Sequence, residues 1–148
     1  MYRDSYLETE ILSASPMRLV ELLYRGAIEA VRQARDAVDG SNIAERNRQI
    51  ARAHAILSEL LSSLDHGRGG ALSLELAELY DYMQRRLNDA NFEQTAGPIE
   101  EVRRLLETLL DAWTTVSATL DLDALASHHS SSQFGAIDRE VIRVDHRG

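Results

Sequence analysis

The chain has 148 residues, 44% of them hydrophobic, only two prolines and no cysteine; this predicts one globular domain and excludes disulfides, thiolate zinc sites and cysteine nucleophiles. All sixteen basic residues are arginine, against 24 acidic ones, for a formal charge of −8; the basic footprint that nucleic acid or an anionic membrane requires is missing, so a protein or peptide is the expected partner. No apolar run approaches the roughly 20 residues that span a bilayer, and Met1–Tyr6 lacks the basic patch and apolar run of a secretory leader, so the expectation is a cytoplasmic protein without membrane insertion.

Residues 1–14 precede the first strong helix signal. Tyr2 and Tyr6, then Leu7 and Ile11, stand four apart, the spacing of an amphipathic turn, and the stretch reads as an N-terminal arm. Ser15-Pro16 opens a helix. The serine hydroxyl caps it, and Pro16 suits the first helical position, where its missing N–H would find no partner anyway. Val20, Leu23, Ala27, Ala30, Ala34 and Ala37 follow at alternating spacings of three and four, one face of a helix expected to close at Gly40 in a left-handed cap.

Asn42-Ile43-Ala44-Glu45 resembles a capping box with asparagine as the cap. The second helix carries Ile50, Ala53, Leu57, Leu60 and Leu64, and stops at Asp65-His66-Gly67-Arg68-Gly69-Gly70, a turn with three glycines. The third shows Leu72, Leu76, Leu79, Met83 and Leu87 before Asn91. Thr95-Ala96-Gly97-Pro98 breaks the chain again, with Pro98 at a first helical position and Glu100 and Glu101 suited to a positive helix start. Ile99, Val102, Leu106, Leu109, Trp113, Val116 and Leu120 then form the cleanest heptad of the chain.

Helices joined by such short loops must run antiparallel to their neighbours. The predicted fold is all-α, an antiparallel up-down four-helix bundle over residues 15–120. The arm 1–14 precedes it and a loosely attached C-terminal tail, 121–148, follows. His128-His129-Ser130-Ser131-Ser132 reads as a polar break, and Phe134, Ile137, Val141 and Ile142 give the tail some apolar surface.

No catalytic pattern emerges. Di-metal centres in bundles use a glutamate three residues before a histidine, and no acidic residue holds that position before any of the five histidines. Gly67–Gly70 is followed by no Gly-Lys-Ser/Thr and preceded by no strand, so it is no phosphate loop. No nucleophile elbow points to Ser-His-Asp chemistry. The expectation is a non-enzyme with no metal and no cofactor. His54 keeps one chemical alternative, since a histidine on a four-helix bundle can be the phospho-acceptor of a phosphotransfer domain. Its competing reading is a histidine at the edge of the apolar stripe, and the lysine of the phosphotransfer pattern has no counterpart in this lysine-free chain. Gly26, inside the first helix, costs roughly 1 kcal/mol relative to alanine; it reads as a close approach of a neighbouring element or as simple tolerance. Tyr24, Tyr80 and Tyr82 suit either a core edge or a binding groove.

Taken in order, the segments resemble the flagellar secretion chaperones of the FliS type. The resemblance is carried by Ser13-Ala14-Ser15-Pro16, Leu19–Ile28 and Gly69-Gly70. It continues with Leu79-Tyr80-Asp81-Tyr82-Met83-Gln84-Arg85-Arg86-Leu87, Ala90-Asn91, and Ile99–Leu106 leading to Ala112-Trp113, so that it covers about residues 2–117. It implies a cytoplasmic bundle that binds the disordered C-terminal segment of flagellin, prevents its premature polymerisation and assists delivery to the flagellar export gate. A homodimer of the free protein through an exposed groove is left open. A generic helical adaptor or dimerisation bundle is the alternative outside the flagellar role. In the family the N-terminal arm lies near the cargo surface, which implies Tyr6, Leu7 and Ile11 as flagellin-binding residues; Tyr80, Tyr82, Met83 and Leu87 are the further candidates for the groove. Tyr24, Gly26 and Trp113 are expected to hold the bundle together. Two features depart from the family. Arg25 stands where an acidic or amide residue is usual, and the tail beyond about Leu120 exceeds the resemblance, either inert or a cover for the groove.

Overall fold

The computed structural model describes residues 15–130, with side chains through residue 119. Among these residues there are four helices and no strand: α1 (Pro16–Asp39), α2 (Ile43–Ser62), α3 (His66–Glu93) and α4 (Gly97–Ser130). Helix α1 packs on α2 and α4, and α3 on the same two. That ring of neighbours, with short loops between successive helices, is the up-down four-helix bundle.

The ends form largely as the residues dictate. Ser15 caps α1 by accepting the Arg18 N–H at 3.2 Å, with Pro16 first in the helix. Asn42 caps α2 by accepting from Glu45 N at 3.1 Å. The reciprocal half of the expected capping box is absent, because the Asn42 N–H is already given to Ala37 O at 2.8 Å. That bond belongs to a Schellman closure of α1, completed by Ser41 N–H on Val38 O at 3.1 Å. The left-handed residue of this closure is Ser41, φ 54°, and not Gly40, whose φ is −86°.

The core is built mostly from the predicted stripes. Ala27, Ala30, Val31 and Ala34 of α1, Ala53 and Leu57 of α2, Met83 and Leu87 of α3, and Ile99, Val102 and Leu106 of α4 are fully buried. The alanine face of α1 lets α2 come close, and a Cβ on Gly26 would stand 3.3 Å from Ile56 Cδ1. Gly26 therefore marks a close approach, made by a side chain. In α3 the buried positions are Ser73, Tyr80, Met83, Leu87 and Ala90; Leu72, expected on the stripe, is 63% exposed. The cause is a kink. The helix begins at His66, six residues earlier than its apolar pattern, and Gly70 interrupts it. Burial along α4 fades as it leaves its neighbours, from Leu106 through half-buried Leu109 and Trp113 to exposed Val116. The helix itself continues to Ser130, through the first three residues of the His128–Ser132 stretch read as a break.

Polar side chains tie the helices around the core, most of them at the surface and Arg46 buried. His54 Nε2 lies 2.9 Å from Asn88 Oδ1, joining α2 to α3, and Arg46 Nε donates to Asn91 Oδ1 at 3.1 Å. Arg35 bridges α1 to Glu100 of α4 at 2.7 Å. Arg25 pairs with Glu21 one turn back, at 3.5 Å. The arm 1–14 and the tail from residue 131 lie outside the described residues.

Candidate binding cleft

Where α1 begins and α2 hands over to α3, the four helices do not close completely. A cleft of about 90 Å³ opens there. Val20 of α1, Leu60 and Leu64 at the end of α2, Leu72 and Leu76 of α3, and Trp113 of α4 give it apolar walls. Val20, Leu60, Leu76 and Trp113 are positioned by helix spacing, Leu64 by the loop that follows α2, and Leu72 by the kink at Gly70. The first turns of α3 are bent at Gly70 and leave Leu72 exposed; Leu76 is half-buried at the wall, and Tyr80 is the first large side chain of the helix to be buried.

Its floor is polar and paired. The Tyr24 and Tyr80 hydroxyls meet at 2.5 Å with both residues buried. Burial, together with the neighbouring Tyr24, pushes the Tyr80 phenol well above the usual tyrosine range. The Trp113 indole N–H donates to the Met17 carbonyl at 3.0 Å, fastening the start of α1 to α4. At the mouth, Asp65 caps the turn into α3 by accepting from Gly67 N and Arg68 N at 3.1 and 3.2 Å. The arrangement offers an apolar hollow with few polar groups, a receptor for apolar side chains of a peptide. Among the described residues no group of three or more His, Asp or Glu is placed to hold a metal ion.

A second groove, between α1 and α4, is of another kind. It holds about 440 Å³ and is lined by Arg25, Ile28, Glu29, Arg32, Glu107, Leu110 and Asp111. Arg32 pairs with Glu107 across it at 3.2 Å, and Arg25 turns to Glu21 of its own helix.

The sequence-derived candidates separate clearly. Tyr80 lines the cleft, from its floor. Met83 and Leu87 sit behind it in the core with no exposed surface, because they face the centre of the bundle on the inward side of α3. They reach no groove in this conformation. Tyr82 points to the seam of α3 and α4, half-buried, and donates to Glu101 Oε2 at 2.8 Å. That bond raises the tyrosine's pKa, while Arg86, 2.6 Å from the same carboxylate, leads in lowering that of Glu101. Tyr6, Leu7 and Ile11 lie outside the described residues. Tyr24 joins α1 to α3 through Tyr80 and Trp113 joins α4 to α1 through the Met17 carbonyl, and both also line the cleft; Gly26 lies under Ile56 of α2. Sequence reading missed Val20, Leu64, Leu72 and Leu76 as a set. The available signal was the Gly69-Gly70 break just before a leucine-rich helix start.

Comparison with known proteins bears on this geometry. The family described as flagellar protein FliS matches residues 1–120. The chain is 37% identical over 117 residues to the flagellar secretion chaperone FliS of Salmonella typhimurium, covering 78% of this chain and 87% of that protein. It is 35% identical over 116 residues to the flagellar secretion chaperone FliSB of Pseudomonas aeruginosa, covering 78% and 92%. With the Bacillus subtilis flagellar secretion chaperone FliS the identity is 31% over 109 residues, covering 74% and 80%.

Proposed function

Because the chain belongs to the FliS family of flagellar proteins, we propose that it is a cytoplasmic export chaperone. It holds the disordered C-terminal segment of flagellin, prevents early polymerisation and helps deliver the segment to the flagellar export gate. The observation that carries this reading is the apolar end cleft beside the exposed Leu72 and Leu74. A disordered segment that folds into an amphipathic helix can seat apolar side chains there and cover those leucines. Tyr6, Leu7 and Ile11 belong to an arm that enters the bundle at Ser15, two residues before Met17 and its tie to Trp113 at the cleft wall; we assign them to forming or guarding the same surface. The family and the paired, apolar character of the cleft favour this reading over phosphotransfer by His54, whose Nε2 is engaged with Asn88.

The test is isothermal titration with a peptide covering the last 40 or so residues of the same organism's flagellin, with circular dichroism alongside. One-to-one binding with a negative heat-capacity change and a gain of helix is expected, since coupled folding buries apolar area. No heat and no added helix, with the full chain and with residues 121–148 removed, would refute it. Tyr6→Ala combined with Ile11→Ala weakens the peptide affinity and leaves melting and helicity nearly unchanged.

A further inference from the structure

The start of α3 is not one continuous rod. His66–Gly69 forms a single turn, Gly70 takes φ 54° and ψ −130°, and the helix proper resumes beyond it. These angles mirror an extended L-residue, so only glycine adopts them without strain. The turn lies so close to the helix that a Cβ on Gly69 would stand 2.7 Å from Ser73 Cβ. It is fastened there by a hydrogen bond at 2.9 Å between exposed His66, through Nδ1, and the hydroxyl of buried Ser73. Just behind the hook the packing is thin, with Leu72 and Leu74 63% and 58% exposed. Asp65 and Gly69 form part of the cleft wall.

We propose that the His66–Gly70 hook is a hinged latch on the end cleft. Turning about Gly70, it parts His66 from Ser73, draws Gly69 off the cleft wall and admits a segment that the closed cleft cannot hold. The cleft's volume of about 90 Å³ falls below the roughly 150 Å³ of an apolar cavity that takes a single benzene ring, so a wall that yields lets more side chains of an amphipathic helix enter. A neutral hydrogen bond of this kind favours the closed form by roughly two- to tenfold, a bias that binding can overcome. When the latch opens, the Ser73 hydroxyl gains water and no buried group is orphaned. The identity of the cargo rests on the function proposed above; the motion does not.

The latch is tested by hydrogen exchange and by binding of N-phenyl-1-naphthylamine, a neutral fluorophore larger than the closed cleft. In Ser73→Ala, and separately in His66→Ala, amides 66–74 exchange roughly two- to tenfold faster, in line with the lost bond. Exchange in α1, α2 and α4 stays as in the parent, and the dye binds more tightly by a similar factor. Gly70→Ala, which cannot hold the closed dihedral angles, shows the largest change of both kinds. Unchanged exchange in the two latch variants overturns the proposal. So does acceleration spread evenly over the bundle, which is the mark of simple destabilisation, and so does faster local exchange with unaltered dye binding. The flagellin peptide is added last. If it displaces the dye, cleft and cargo coincide; if the latch responds as described and the peptide leaves the dye in place, the latch stands and the assignment of cargo to this cleft falls.

Discussion

The hydroxyls of Tyr24 and Tyr80 satisfy one another inside the bundle, and a buried hydroxyl that loses its partner keeps the full cost of having left water. Tyr24→Phe strands the hydroxyl of Tyr80, a residue only 2% exposed, and lowers unfolding free energy in urea by about 1–3 kcal/mol. The double variant Tyr24→Phe/Tyr80→Phe loses less than Tyr24→Phe alone, because the buried Tyr80 hydroxyl is removed together with its partner. Glu100 provides the acid-side counterpart. Hydrogen bonds from Arg103, and then from Arg35, hold its carboxyl at about 2. A carboxylate whose pKa is depressed by folding stabilises the fold above its unfolded value and loses that contribution as pH falls toward its folded one. Glu100→Gln should therefore melt below the parent protein at pH 6 and above, with the gap closing between about pH 5 and pH 2. A gap that stays constant across that range would show that the arginines are not what the carboxylate serves.

At the scale of elements, the α1–α2 pair is the tight half of the molecule. Its closeness depends on the alanine face of α1 and on Gly26 against Ile56, 3.3 Å from where a Cβ would lie. Ile56 is half-buried and its Cδ1 ends a flexible side chain, so Gly26→Ala has room to gain helix propensity and stays within about 1 kcal/mol of the parent in unfolding free energy. Gly26→Leu has no such room and costs about 1–3 kcal/mol by overpacking. The helices and their caps were legible because Ser15-Pro16, Asn42 and the spacing of three and four are local instructions. The start of α3 was not. Asp65–Gly70 carries turn residues, and whether the chain coils through them or merely turns is decided by Ser73 receiving His66 and Gly69. No local pattern announces that contact.

For the whole molecule, the deep core ends at Leu106 and the last inter-helix anchor among the described side chains is Trp113. A chain of residues 1–120, the span matched by the family, should fold with nearly the parent melting temperature. The ellipticity of the α4 turns from residue 121 to Ser130 should be lost with the tail. A large drop in melting temperature would mean that the tail packs on the bundle.

The amino-acid order alone was enough for the helix count and the antiparallel bundle, because those depend on periodicity, caps and short loops, which are properties of neighbours along the chain; the family was carried by the resemblance of motifs in order from Ser13 to Trp113. It was not enough for the site. That Tyr80 faces the cleft while Met83 and Leu87 three and seven residues on are sealed in the core, and that Leu72 turns outward, depends on the angle at which α3 leaves its kink. Packing against α2 and α4 settles that angle. A cleft is a place where such packing stays incomplete, and incompleteness is a property of the assembled helices that no single stripe contains.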